Sequence, residues 1–160
     1  LQQFVFWGFG TLGNISWDGI LILFSCIIIG LWISILAIKP LNALLLGENY
    51  AKSMGINLKL ATFWIIVATS LLTGSITAFA GPIAFVGIAV PHLTRQFFNS
   101  SNHMVLLPAV FLSGAVLMLI CDTVAQLPFI ELTLPINAIT SLLGAPVVIW
   151  LLVRKRKLFF

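Results

Sequence analysis

Long uncharged stretches alternate with short polar stretches along this chain. Residues 19–38 and 60–94 contain no charged side chain. Between them lies the segment 39–59, KPLNALLLGENYAKSMGINLK, which we call the polar island. An apolar helix of about 20 residues is long enough to cross a bilayer core of about 30 Å. The pattern therefore predicts membrane-spanning helices on both sides of an exposed polar connection.

The uncharged runs predict five transmembrane spans. The run 60–94 is too long for one span, so we expect two short spans that turn at Gly81-Pro82, with the proline at the first position of the second helix. A further run ends at Asp122, and the final run ends in the basic sequence RKRK. The predicted spans are residues 19–38, 60–80, 82–94, 104–122 and 136–153.

The polar island carries the signals of two short helices joined by a glycine. Pro40 suits the first position of a helix, and Gly47 ends that helix. Glu48 then suits the first turn of a second helix, with Lys52 four residues later in the favourable order. Gly55 follows where a helix end favours a left-handed residue. A simple connection needs only a few residues, so this segment is predicted to present a surface to a partner.

Composition places the chain in a membrane class. It is 61% hydrophobic and only 8% charged, with a mean hydropathy of +1.17. A soluble domain of 160 residues could not keep that much apolar surface out of water, so we expect an all-α polytopic membrane protein in a lipid bilayer. The net charge of +4 does not indicate a nucleic-acid partner, because the basic residues lie at the ends of the spans.

The charges predict a topology. When the chain is followed through five crossings, all 8 basic residues fall on one side. Three acidic residues, Asp18, Asp122 and Glu131, fall on the other side. Basic residues are retained on the cytoplasmic face of membrane proteins. The polar island and the C-terminus are therefore predicted to be cytoplasmic, and the N-terminus of this piece to be outside. The chain opens on Leu1 rather than Met, and we expect it to be a fragment.

No motif in the chain indicates an enzyme. H-E-x-x-H, G-x-S-x-G and Walker sequences are absent from the sequence, which leaves proteolysis, hydrolase chemistry and self-contained ATP hydrolysis without support. Cys26 and Cys121 have no ligand neighbours at useful spacing, so no metal or cofactor site is expected on this chain. His92 could be a ligand or proton carrier, but we favour an interfacial residue at the inner end of the third span.

Three segments carry a resemblance to a known family. GENYAKSMG, in the polar island, resembles the E-x-x-A-x-x-x-G coupling segment of ABC importer permeases. AGPIAFVGIAVPHLTR and LPINAITSLLGAPVVIWLL resemble the FecCD-type permeases for iron-siderophores, haem and cobalamin. The resemblance runs in order over essentially the whole chain and matches the second half of such a permease, which ordinarily has ten spans.

The resemblance implies a transport subunit of the bacterial inner membrane that performs no chemistry itself. In this family the coupling segment docks into a cleft on a separate ATP-binding subunit, which binds and hydrolyses the ATP. The assembly pairs two permeases, here expected as a homodimer, with two ATPases and receives its cargo from an external substrate-binding protein. The residues that the resemblance assigns to coupling are Leu46, Gly47, Glu48, Ala51, Lys52 and Gly55.

The resemblance also assigns an outer surface. Some relatives carry an arginine after the fourth of these spans that grips the binding protein, but the aligned residue here is Gln126. With Asp122 and Glu131 nearby, this outer face is expected to hold a partner without that salt bridge. The aromatic residues Phe4, Trp7 and Phe9 are expected in a short surface helix at the mouth of the pathway, or alternatively in the end of a preceding span.

An iron chelate, either a siderophore or haem, is the cargo that the resemblance implies first, and cobalamin is the alternative. Two rivals come from other classes: a secondary carrier that needs no ATPase, and a membrane scaffold whose polar island only recruits a partner. The spans lack the buried ionisable residues that ion-coupled carriers usually need. Co-purification of an ATP-binding subunit would separate the importer from both rivals.

Overall fold

A computed structural model of the chain describes residues 8, 10, 15–126 and 135–156, without the side chains of 151, 152 and 154–156. Within these ranges the regular structure is entirely helical, as predicted. The predicted site residues Phe4, Trp7, Phe9 and Glu131 lie outside the described residues. The helices are α1 (Trp17–Leu36), α2 (Ile38–Leu44), α3 (Glu48–Ser53), α4 (Leu58–Ala80), α5 (Val86–Phe98), α6 (His103–Ala125) and α7 (Ile136–Arg156).

The break between α1 and α2 follows from a proline. Pro40 has no N–H to donate to the carbonyl of Leu36 four residues earlier, and its ring crowds that carbonyl. Helix α1 therefore ends at Leu36, and Ala37 serves as the cap between the two helices. Our prediction that Pro40 opens the first island helix is wrong by two residues, because α2 begins at Ile38.

The connection between α4 and α5 is longer than the sequence predicted. Gly81 has a φ of 80°, consistent with the predicted turn. However, α5 begins at Val86 rather than at the proline that follows Gly81. The backbone N–H of Ala84 donates to Oδ1 of Asn137 at 3.1 Å, and Phe85 has a φ of 65°. The predicted start was wrong because a bond to a residue 53 positions away holds this segment out of the helix.

Within the described residues, three helices, α1, α4 and α6, are long and apolar enough to cross a membrane, and residues Ile136–Trp150 of α7 form a shorter apolar helix. Helix α5 has 13 residues, which makes it about 20 Å long at 1.5 Å per residue. That length is below the thickness of the hydrocarbon core, about 30 Å. The helical class is thus confirmed, whereas the five-span arrangement stays a prediction.

The described chain divides into two compact units, and the first contains Ile15–Phe79 with Asn102–Met104. Within this unit, glycines allow α1 to lie close to α4. A Cβ added at Gly30 would come within 2.6 Å of Leu72 Cγ, and one added at Gly19 within 3.2 Å of Phe79 Cε1. Both glycines thus leave room for a side chain of α4 against the backbone of α1, a use of small residues that is common between membrane helices.

The second unit contains Ala80–Ser101, the remainder of α6 and α7. Its core joins the end of α6 to the start of α7 through four buried residues, Cys121, Ala125, Ile136 and Ile139. Helix α7 also packs against the start of α5. A Cβ at Gly144 would lie 2.5 Å from Cβ of Phe85, so only glycine leaves room for that residue.

Candidate functional site

The polar island contains a glycine elbow between α2 and α3. Gly47 adopts φ 103° and ψ 156°, a conformation that is essentially restricted to glycine. Its N–H donates to the carbonyl of Leu44 at 3.1 Å, which closes the end of α2. Its carbonyl accepts from the N–H of Ala51 at 3.1 Å, which is the first bond of α3. One glycine therefore ends one helix and starts the next.

A second glycine closes α3 with a Schellman motif. The N–H of Gly55 donates to the carbonyl of Lys52 at 2.9 Å, and the N–H of Ile56 donates to that of Ala51 at 3.1 Å. Gly55 has a φ of 80°, as this motif requires. The predicted left-handed residue at this position is confirmed, so both ends of α3 are determined by glycines.

The short helix α3 exposes most of its side chains. Leu46 just before it is 66% exposed and Tyr50 within it is 50% exposed. Glu48 and Lys52 are also exposed, and they form no ion pair within the described part of the chain. Ala51 differs, because it is completely buried on a helix that packs against α2. Of the residues assigned to coupling, Ala51 therefore supports the shape of the island, whereas the others are available at its surface.

Asn42, which the sequence did not single out, joins the island to the start of α6. Its Oδ1 accepts from the backbone N–H of His103 at 2.8 Å and lies 2.8 Å from Nδ1 of the same residue. Its Nδ2 donates to Oδ1 of Asn102 at 2.8 Å. In the sequence, only Asn102, directly before α6, stands where a capping residue is common. No local pattern points from Asn42 to a partner 60 residues away.

An apolar cavity lies beside the island, within the first unit. Its volume is about 430 Å³ and its walls come from the end of α1, from Pro40 of α2 and from the start of α4. The lining residues include Ile33, Ala37, Pro40, Leu60, Ala61 and Trp64. The cavity therefore adjoins the polar island where two candidate spans end.

At the other end of α6, the structure brings two of the predicted outer-face residues together. Nε2 of Gln126 donates to Oδ2 of Asp122 at 2.8 Å. Gln126 is exposed and Asp122 is half-buried. The bond occupies one carboxylate oxygen of Asp122, so the pair presents a local polar group rather than two independent side chains.

The second unit contains a pair of hydroxyls, Thr94 buried and Ser113 half-buried. Thr94 Oγ1 lies 2.9 Å from Ser113 Oγ, and each oxygen also lies within hydrogen-bond distance of a carbonyl on its own helix. Each hydroxyl has one proton, so the pair can make two of these three bonds at a time. His92 lies nearby in sequence, half-buried in the middle of α5. Because α5 continues to Phe98, His92 does not lie at the end of that helix, whereas its predicted place at the membrane interface stays a prediction. Within the described residues, no group of three or more His, Cys, Asp or Glu is arranged to hold a metal ion.

Comparison with known proteins defines the class. A model of the FecCD transport family matches residues 1–154, so the chain belongs to the FecCD transport family. A solved structure described as "An inward-facing conformation of a putative metal-chelate type ABC transporter" matches with a TM-score of 0.80 and 34% identity. That match covers 97% of this chain and 49% of the solved chain. The predicted family is thereby confirmed.

Among curated proteins, the chain is similar to permeases named for vitamin B12 import. It is 37% identical over 160 residues to the Vitamin B12 import system permease protein BtuC of Citrobacter koseri, covering 98% of this chain and 47% of the relative. The protein of the same name from Klebsiella pneumoniae is 38% identical over 156 residues, covering 98% and 46%. The chain spans about half the length of the curated relatives it matches.

Proposed function

We propose that this chain is the C-terminal half of the membrane permease subunit of an ATP-driven importer for a metal chelate. The observation that carries the proposal is the polar island, in which two glycine-determined turns hold an exposed six-residue helix between the candidate spans α1 and α4. A plain connection between spans would not need two such turns. Membership of the FecCD family supports the same interpretation.

In this proposal the polar island docks on an ATP-binding subunit, which carries out ATP hydrolysis, and the permease itself performs no chemistry. The exposed residues Leu46, Glu48 and Lys52 make the contacts. Gly47 and Gly55 maintain the angle at which α3 is presented, and Ala51 lets α3 lie against α2. The island is cytoplasmic and the chain belongs to the bacterial inner membrane, which agrees with the distribution of basic residues in the sequence.

The remaining partners are a second permease copy and an external substrate-binding protein. Apolar surface is available for such assembly. In each candidate span, only 11% of the most apolar stretch is buried against other described residues. The Asp122–Gln126 pair contributes to the face that receives the binding protein, through hydrogen bonds in place of an arginine salt bridge. Glu131 belongs to the same proposed face, and Phe4, Trp7 and Phe9 to the proposed pathway mouth.

Cobalamin is the cargo that the relatives favour, because the two curated relatives from Citrobacter and Klebsiella are named for vitamin B12 import. The iron chelate that the sequence resemblance implied first has no comparable support from these names. The solved structure is described only as a transporter of the metal-chelate type. We therefore propose cobalamin as the first cargo to test, with a ferric siderophore and haemin as competing cargoes.

The test uses the complete permease, purified together with any ATP-binding subunit and reconstituted in proteoliposomes with the external binding protein. We expect uptake of radiolabelled cyanocobalamin that requires hydrolysable ATP and is not reduced by excess ferric siderophore or haemin. Competition by one of these would move the assignment to an iron chelate. Uptake without ATP, or a permease that recruits an ATPase but moves none of the three cargoes, would support the carrier or the scaffold instead.

A further inference from the structure

The polar island is joined to α6 by hydrogen bonds from one side chain, Asn42. We propose that Asn42 is a positioning residue that transmits movement of the island to α6, an inference that rests on the proposed coupling function. The island is already joined covalently to α1 through α2 and to α4 through the segment that follows α3. Asn42 joins the island to a third helix, α6, which does not adjoin the island along the chain.

The orientation of the Asn42 amide follows from its partners. The backbone N–H of His103 can only donate, so the Asn42 atom that it meets must be the carbonyl oxygen Oδ1. That oxygen has two lone pairs, and the second accepts from Nδ1–H of His103. The remaining amide group, Nδ2, donates to Oδ1 of Asn102. The Asn42 side chain therefore makes three hydrogen bonds, all of them to the two residues at the start of α6, Asn102 and His103.

These bonds complete the N-terminus of α6. The first N–H groups of a helix have no partner within the helix and are usually met by a capping side chain. Asn102 supplies the local cap, because its Oδ1 accepts from the N–H of Met104 at 2.9 Å. Asn42 meets the N–H of His103, the first residue of α6, from a different helix. The start of α6 is thus built partly from the polar island.

This arrangement makes the connection sensitive to small movements. The three contacts of Asn42 are all 2.8 Å long, and a hydrogen bond is lost beyond about 3.5 Å. A displacement of α2 by about 1 Å must therefore either carry the start of α6 with it or break the contacts. Because these contacts lie at the first turn of α6, a displacement of α2 acts directly on the start of a candidate span.

A role in helix capping alone makes a different prediction. Loss of a cap weakens the fold, so the amount of assembled transporter falls while each remaining transporter keeps the same ratio of cargo moved to ATP hydrolysed. Loss of a coupling connection lowers that ratio in transporters that are assembled normally. The coupling ratio is consequently the deciding measurement, since physical proximity alone does not demonstrate coupling.

The experiment compares variants of the complete permease assembled with its ATP-binding subunit, with cyanocobalamin as cargo, or haemin or a ferric siderophore if the wild type carries that instead. Asn42→Leu keeps the approximate side-chain volume and removes every bond. Asn42→Asp keeps both acceptor bonds to His103 but replaces the donor to Asn102 with a second acceptor. Ser16→Ala is the matched control, because Ser16 Oγ caps α1 through the N–H of Gly19 at 3.2 Å outside the island.

We expect Asn42→Leu to assemble with the ATPase and to lower the cargo-to-ATP ratio at least about fivefold, the lower end of typical coupling between sites. Asn42→Asp should restore most of the ratio, and Ser16→Ala should leave it unchanged. His103→Phe, which removes the ring bond to Asn42 but keeps the backbone bond, should lower the ratio less. It should add little when combined with Asn42→Leu, because the two changes remove the same contact.

A normal ratio in assembled Asn42→Leu would overturn the proposal, and so would equal loss in the leucine and aspartate variants. If Asn42→Leu does not assemble, His103→Phe decides, and an unchanged ratio in that variant has the same consequence. Failure of the underlying function is separately visible. In that case the wild-type permease recruits no ATPase, or its uptake does not depend on ATP, before any variant is compared.

Discussion

Gly47 provides the sharpest test of the polar island, because its backbone conformation can be perturbed without touching any neighbour. Its φ of 103° and ψ of 156° lie in a region that other residues avoid at a cost of about 1–3 kcal/mol. A Cβ added there would meet no atom within 4 Å. The substitution Gly47→Ala therefore introduces backbone strain without a steric clash and without a change of charge.

The expected consequence is a shift away from the native elbow. A penalty of about 1–3 kcal/mol changes the equilibrium between two conformations by about 5- to 150-fold. The candidate spans are not altered, so we expect normal membrane insertion. In the complete permease, ATP-dependent uptake in proteoliposomes should fall at least about fivefold. Gly55 has a φ of 80° and an added Cβ there also meets no atom within 4 Å. Gly55→Ala should lower uptake less than Gly47→Ala, because a left-handed alanine costs about 1–2 kcal/mol.

Gly74→Ala is the matched control for both changes. Gly74 lies inside α4 and an added Cβ there also meets nothing within 4 Å. Alanine is favoured over glycine inside a helix by about 0.8–1 kcal/mol, so uptake should be retained. Normal uptake by Gly47→Ala, with the ATPase bound, would refute the idea that the elbow sets the position of α3 for coupling. Equal loss in Gly74→Ala would show that the assay reports any glycine substitution.

Three further outcomes are expected. In a cysteine-free complete permease, single cysteines placed at Ser53 and Ser100 should both react with an impermeant maleimide only from the cytoplasmic side. Reaction of the Ser100 position from outside would remove the two-crossing interpretation of residues 60–94. Gly144→Ala should lower the free energy of unfolding by about 1–3 kcal/mol, because its Cβ would lie 2.5 Å from Cβ of Phe85. The thermal unfolding temperature in detergent should fall accordingly. Gly114→Ala, whose Cβ would meet its nearest neighbour at 3.8 Å, should not lower it, and equal stability of the two variants would contradict the packing argument. The 160-residue chain alone should not move cyanocobalamin or haemin into vesicles, and uptake by it would contradict the half-permease assignment.

The polar island illustrates how much the sequence can predict about a candidate site. The glycine elbow and the left-handed Gly55 were predicted correctly because their hydrogen bonds join residues at most five positions apart. The start of α2 was missed by two residues, since Pro40 acts on the carbonyl four residues before it rather than on its own position. Whether the exposed residues of α3 touch an ATPase depends on a second molecule and stays a prediction.

The order of residues along the chain is enough to predict which segments are apolar enough to be helices in a membrane and where the turns of the island lie. Both depend on composition and on contacts within a few residues. The start of α5 and the hydrogen bonds of Asn42, in contrast, depend on how the helices pack. The bond from Ala84 to Asn137 spans 53 positions, and the bond from His103 to Asn42 spans 61 positions. Local patterns carry no information about such pairs, because folding brings them together only when separate helices pack.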